Sequence, residues 1–109
     1  MIRIMKASAG SGKTFNLAKT YIRLLLTDEE RYSYRHILAV TFTNKATDEM
    51  KSRILKELHL LAVSPKDSPY YDELAPMFDS EDGLRRRAET VLCDILHDYG
   101  AFAVSTIDR

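Results

Sequence analysis

The chain reads as an α/β protein built on a parallel sheet, and two observations predict this. Short apolar segments alternate with longer amphipathic stretches of helical period, the pattern of strands joined by crossover helices. The middle segment, His36-Ile37-Leu38-Ala39-Val40-Thr41-Phe42, is a nearly continuous apolar run. Such a run suits a strand covered on both faces, as in a parallel sheet. With 109 residues, 45% hydrophobic and 29% charged, the chain has the length and composition of one soluble globular domain at most.

The elements follow in order. Met1 to Met5 is the first strand. A helix is expected from Gly12 to Thr27, with Leu17, Ala18, Tyr21, Ile22 and Leu25 as its buried stripe. Asp28 to Arg35 is a charged connection to the second strand, His36 to Phe42. Asn44 can cap the next helix, which runs to Ala62 and turns Ala46, Met50, Ile54, Leu58 and Leu61 inward. Pro65 and Pro69 mark a loop, and Pro69 can start a short helix that Pro76 interrupts. Ser80 to Tyr99 is a long helix with Leu84, Ala88, Val91, Leu92 and Ile95 inward and Gly100 as its C-terminal cap. Ala101 to Ser105 is the third strand.

The segment between the first strand and first helix carries the chemistry. Ala7-Ser8-Ala9-Gly10-Ser11-Gly12-Lys13-Thr14 is a Walker A loop with Ala7 in place of the usual opening glycine. Gly10 and Gly12 let the backbone turn tightly and aim its N–H groups at a phosphate, and the helix adds the positive end of its dipole. Lys13 can reach the β- and γ-phosphates of ATP, and the Thr14 hydroxyl can ligate Mg²⁺. Strand, loop and helix in this order predict a P-loop NTPase fold, three-layered, with three strands of its parallel sheet visible. Asp72-Glu73 resembles a Walker B acidic pair but follows a turn rather than an apolar strand. Asp108, just after the third strand, is the remaining candidate metal carboxylate.

The net charge is zero but segregated: residues 1–27 hold five basic and no acidic residues, and residues 63–109 hold five basic and ten acidic. A basic N-terminal third suits a polyanionic ligand near the loop. Arg85-Arg86-Arg87 fan over nearly a full helical turn and read as a solvated face. No apolar run approaches the roughly 20 residues that span a bilayer. The single cysteine, Cys93, reads as a packing residue, and its isolation suits a reducing, cytoplasmic setting. His36, His59 and His97 share no metal-ligand spacing.

Three motifs in order resemble the UvrD/Rep-like superfamily 1 DNA helicases, most closely the RecB and AddA helicase–nuclease branch. Ala7 to Thr14, continuing into Phe15 and Leu17, resembles motif I. Val40-Thr41-Phe42-Thr43-Asn44-Lys45-Ala46-Thr47-Asp48-Glu49-Met50 resembles motif Ia. Val104-Ser105-Thr106-Ile107-Asp108 is similar to motif Ib, with Asp108 where the family usually has His. The resemblance implies an N-terminal piece, over residues 1–109, of a first RecA-like ATP-binding domain. It implies ATP and Mg²⁺ as cofactors, ATP hydrolysis coupled to translocation on single-stranded DNA, and a role in recombination and repair. A partner nuclease or helicase subunit is also implied. Phe42, Thr43, Asn44 and Thr106 would lie against the DNA. Residue statistics favour the core for Phe42, and Asn44 has its capping role as an alternative.

The Walker B strand, the arginine of a second RecA-like domain and a nuclease domain are all outside this sequence. The chain by itself is therefore expected to be catalytically silent and, with strand edges uncovered, to self-associate. Two other classes compete: a small P-loop kinase using Asp108 as its Mg²⁺ carboxylate, and a non-hydrolysing nucleotide-binding module.

Overall fold

Residues 3–6, 11–28, 30 and 32–106 are described by the structure, a computed structural model, the side chains of 3–6 and 11–13 aside. Its elements are β1 (Arg3–Lys6), α1 (Ser11–Thr27), β2 (Ile37–Thr41), α2 (Asn44–Val63), a single-turn α3 (Tyr71–Leu74), α4 (Glu81–His97) and β3 (Val104–Thr106). The strands run parallel in the order β1-β2-β3. The α/β class is as expected.

The register is what positions the site. Lys6 lies opposite Val40, and Thr41 lies opposite Thr106. The carboxyl ends of the strands therefore share one edge of the sheet, the edge where ligands of parallel α/β sheets bind. Ile37, Ala39, Val40 and Thr41 of β2 are buried and Leu38 is half-buried, so both faces of this strand are covered.

The three long helices pack on one another, and α1 and α2 also pack on the sheet. Ala18, Tyr21, Ile22 and Leu25 of α1 meet Met50, Ile54, Leu58 and Leu61 of α2 and Leu84, Ala88, Val91 and Ile95 of α4 in one buried cluster. Leu17 and Leu92 pack on its margin, half-buried. Truncating one of the fully buried leucines here would cost about 2–5 kcal/mol.

Five expectations need correction. Thr43, not Asn44, caps α2: its hydroxyl oxygen accepts from the Ala46 N–H at 3.0 Å, and Asn44 is the first helical residue. Thr47 replaces Ala46 on the inward face, because polar partners await its hydroxyl. Gly100 does not cap α4. The helix ends on Asp98 with φ −140°, and Gly100 lies in a 3-10 turn, Tyr99–Ala101. The Asp98 carboxylate is held by Arg35 Nε at 2.7 Å and by the Tyr34 hydroxyl at 3.0 Å, so side chains fix the exit and no left-handed glycine is required. Cys93 is exposed. It stands two residues from Val91 and two from Ile95, which is about 200° around the helix from each.

The last correction concerns the arginine run. Arg87 donates from Nη2 to the carbonyls of Leu25 at 3.2 Å and Asp28 at 2.7 Å, and from Nε to that of Leu26 at 3.2 Å. Arg85 Nε donates to the Ala62 carbonyl at 3.2 Å. These two guanidiniums close the carboxyl ends of α1 and α2, where carbonyls lack helical partners and the dipole is negative. Arg86 alone of the three is on the solvated face without such a contact.

Candidate nucleotide and nucleic-acid site

Ser11-Gly12-Lys13-Thr14 forms the first turn of α1, directly beyond the end of β1 by way of residues 7–10. Ala7, Ser8, Ala9 and Gly10 lie outside the described residues, as does Asp108. Thr14 is half-buried and shares the wall of a cavity of about 410 Å³ with Asp48, Glu49, Ser52, Arg53 and Lys56 of α2. The first turn of α1 carries no acidic residue, and neither does that of α2. By contrast α4 opens with Glu81 and Asp82 and the Ser80 cap, which offset its own dipole. The helices left uncompensated are those whose starts carry the motif I and motif Ia residues.

The first turns of α1 are tethered through groups that sequence reasoning did not single out. The Tyr70 hydroxyl donates to the Phe15 carbonyl at 2.8 Å, and the two rings meet edge-on at 4.8 Å. Burial pushes the Tyr70 phenol up to about 12, so it stays a donor across the physiological range. The Ser68 hydroxyl accepts from the Tyr70 N–H at 3.1 Å and donates to Glu57 at 2.8 Å. The Glu57 side chain is only 2% exposed and lies 3.9 Å from Arg53, whose guanidinium stands over the Phe15 ring at 5.4 Å. One signal was present in the sequence. Glu57 falls three residues after Ile54 and four before Leu61, on the apolar stripe of α2, where an acid must find partners.

At the far end of β2 the chain turns outward. Phe42 is 55% exposed, which overturns its assignment to the core. Thr43 and Asn44 are exposed beside it. The cap role of Thr43 uses its oxygen as acceptor and leaves the hydroxyl proton to donate elsewhere. Thr106 is half-buried, and its hydroxyl lies 2.5 Å from that of Thr47. The sheet thus brings Phe42, Thr43, Asn44 and Thr106 to one edge. An aromatic face, hydroxyls and the N–H groups opening α2 suit base stacking and phosphate contact.

Among the described residues, no group of three or more His, Cys, Asp or Glu side chains could hold a metal ion by itself. A hydroxyl on a cavity wall at the start of an uncompensated helix does fit a metal carried in by phosphates. Glu73, one of the acidic pair set aside above, is bound to Lys19 of α1 at 2.7 Å.

Residues 2–107 match the UvrD/REP helicase N-terminal domain. The chain belongs to that family. It is 36% identical over 89 residues to the RecBCD enzyme subunit RecB of Escherichia coli (strain K12), covering 72% of this chain and 8% of that protein. RecB of Buchnera aphidicola subsp. Acyrthosiphon pisum (strain APS) is 40% identical over 115 residues, 97% of this chain and 10% of that protein. An ATP-dependent helicase/nuclease of Thermoanaerobacter sp. (strain X514) is 38% identical over 72 residues, 65% of this chain and 6% of that protein. The chain therefore spans a tenth or less of the length of these relatives. Membership of the UvrD/REP family favours the helicase reading over the small-kinase and stand-alone-module readings, and the RecB and AddA resemblance read from the motifs holds.

Proposed function

We propose that this chain is the N-terminal part of a first RecA-like ATP-binding domain. The protein carrying it is an ATP-dependent DNA helicase or helicase–nuclease of recombination and repair. It acts in the cytoplasm with a partner subunit, which the RecBCD name of its relatives suggests. One observation carries the reading. The parallel register sets the strand leading to the Walker A segment and the ends of the strands bearing motifs Ia and Ib on one edge of the sheet.

Each residue then has a role. Backbone N–H groups of the segment Ala7, Ser8, Ala9, Gly10, Ser11, Gly12, Lys13 and Thr14 bind the phosphates of ATP. Lys13 neutralises charge on the phosphoryl group being transferred, and the Thr14 hydroxyl holds Mg²⁺. The metal, when bound, withdraws charge from the phosphate oxygens. Tyr70, through the Phe15 carbonyl, keeps the start of α1 in place while the nucleotide cycles. Phe42, Thr43, Asn44 and Thr106 meet single-stranded DNA at the neighbouring strand ends. Hydrolysis needs a water-positioning carboxylate, which the rest of the protein supplies.

The reading is tested by Lys13→Ala in the whole protein. ATP-driven unwinding is expected to be lost while single-stranded DNA binding stays within about twofold, because the substitution acts on phosphoryl transfer rather than on DNA contact. Unwinding at the wild-type rate by the variant would refute the assignment.

A further inference from the structure

Three hydroxyls and one carbonyl meet between the ends of β2 and β3 and the start of α2. Thr41 Oγ1 and Thr47 Oγ1 are 2.6 Å apart, and Thr47 Oγ1 and Thr106 Oγ1 are 2.5 Å apart. The Thr43 carbonyl accepts the Thr47 N–H at 3.0 Å. The hydroxyls of Thr41 and Thr47 each lie 3.2 Å from that carbonyl, and that of Thr106 lies 3.4 Å away. Thr41 is 1% and Thr47 8% exposed, whereas Thr106 is half-buried.

Counting protons limits the arrangements. Three hydroxyls hold three protons, and two of these fill the contacts on either side of Thr47. With no acceptor beyond Thr106, the third ends on the Thr43 carbonyl, given by Thr41 or by Thr47 at the same 3.2 Å. Thr106 is then a donor to Thr47 and has nothing to offer outward. If Thr106 is to donate to an acceptor outside, the proton between it and Thr47 must belong to Thr47. Thr41 must in turn donate to Thr47. Thr47 is thus the one hydroxyl that touches both strands, and its direction of donation decides whether Thr106 can give a hydrogen bond to a ligand.

We propose that Thr47 is a positioning residue for single-stranded nucleic acid: by donating to Thr106 it frees the Thr106 hydroxyl to donate to a phosphodiester oxygen at the strand ends. The relay rests on the DNA-contact reading of Thr106. Chains of this kind also polarise one another, so a donor backed by two further hydroxyls is stronger than an isolated one. Thr47 touches no DNA itself and acts only through Thr106.

The test is the affinity of the whole protein for a short single-stranded oligonucleotide, in a double-mutant cycle. Thr47→Val and Thr106→Val are each expected to weaken binding about fivefold, the effect of one hydrogen bond. The double variant is expected to be no weaker than Thr106→Val alone, and Thr47→Ser to stay within about twofold of wild type. A double variant weaker by about 25-fold, the product of the two, would overturn the relay, since the residues would then act independently. Thr106→Val with a loss and Thr47→Val without one would overturn it too. If instead Phe42→Ala and Thr106→Val both bind as wild type, the DNA-contact reading falls, and the role of Thr47 with it. Should Thr47→Val not fold, Thr47→Ala and Thr47→Ser serve: serine keeping affinity and alanine losing it supports the relay, and equal affinities contradict it.

Discussion

Phe42 shows at the residue scale how an apolar run can mislead. It continues Ile37 to Val40 in sequence, and local hydrophobicity gives every reason to bury it. The strand ends one residue earlier, at Thr41, and the chain must turn into the Thr43 cap of α2. The ring is left 55% exposed at the ligand edge. A single residue's burial depends on where a strand stops, and strand ends are not written in hydrophobicity. The polar residues around it were easier to place, because a Thr-Asn pair ahead of an amphipathic stretch announces a helix start. Which of the two caps was decided by backbone geometry. Since Phe42 packs on no core, Phe42→Ala is expected to leave the melting temperature within about 1 °C while weakening single-stranded DNA binding by about 1–3 kcal/mol, one base-stacking contact. A large loss of thermal stability would return Phe42 to the core.

At the scale of elements, the periodic stripes of α1, α2 and α4 were legible, because burial at three- and four-residue spacing is a local property. The contacts that close the helix ends were not. Arg87 reaches carbonyls about sixty residues earlier in the chain, and no local pattern separates it from its solvated neighbour Arg86. Arg87→Ala is expected to lower unfolding free energy by about 2–3 kcal/mol, since hydrogen bonds to a charged group are lost and carbonyls are left unpaired. Arg86→Ala should change it by less than about 0.5 kcal/mol. Arg87→Lys should rescue poorly, because one ammonium cannot reproduce the fork. Chemical denaturation of the three variants decides this, and equal stabilities for Arg86→Ala and Arg87→Ala would contradict it.

The exit of α4 makes a second prediction at this scale. Hydrogen bonds from Arg35 and Tyr34 hold the Asp98 carboxyl below its ordinary value of 3.8. A group whose folded value is depressed stabilises the protein above its unfolded value, and loses that contribution as pH falls through the folded one. Stability from this cluster should therefore be complete above about pH 5 and decline below pH 4. Asp98→Asn is expected to flatten that part of the acid limb in a series of thermal melts. An unchanged acid limb would show that the cluster contributes nothing there.

For the whole molecule, the order of strand and helix and the three motifs identified the family before any geometry was needed. The chemistry of a Walker A segment requires a strand, a glycine turn and a helix in immediate succession, so it is compact in sequence. The tether from Glu57 through Ser68 and Tyr70 to Phe15 was not legible, because it closes through space. Residues 1–109 prepared alone are expected to show no DNA-stimulated turnover and to self-associate, β1 and β3 being the outer strands of the described sheet. Light scattering at high concentration and an ATPase assay check both, a strict monomer contradicting the second expectation and turnover the first. The most direct test of the proposed function is ATP hydrolysis by the whole protein, with and without single-stranded DNA, in wild type and in Lys13→Ala. Single-stranded DNA is expected to stimulate wild-type hydrolysis, and Lys13→Ala to lower it by about 10²-fold or more under both conditions. Hydrolysis that is indifferent to DNA, or a Lys13→Ala protein that turns over ATP at the wild-type rate, would contradict it.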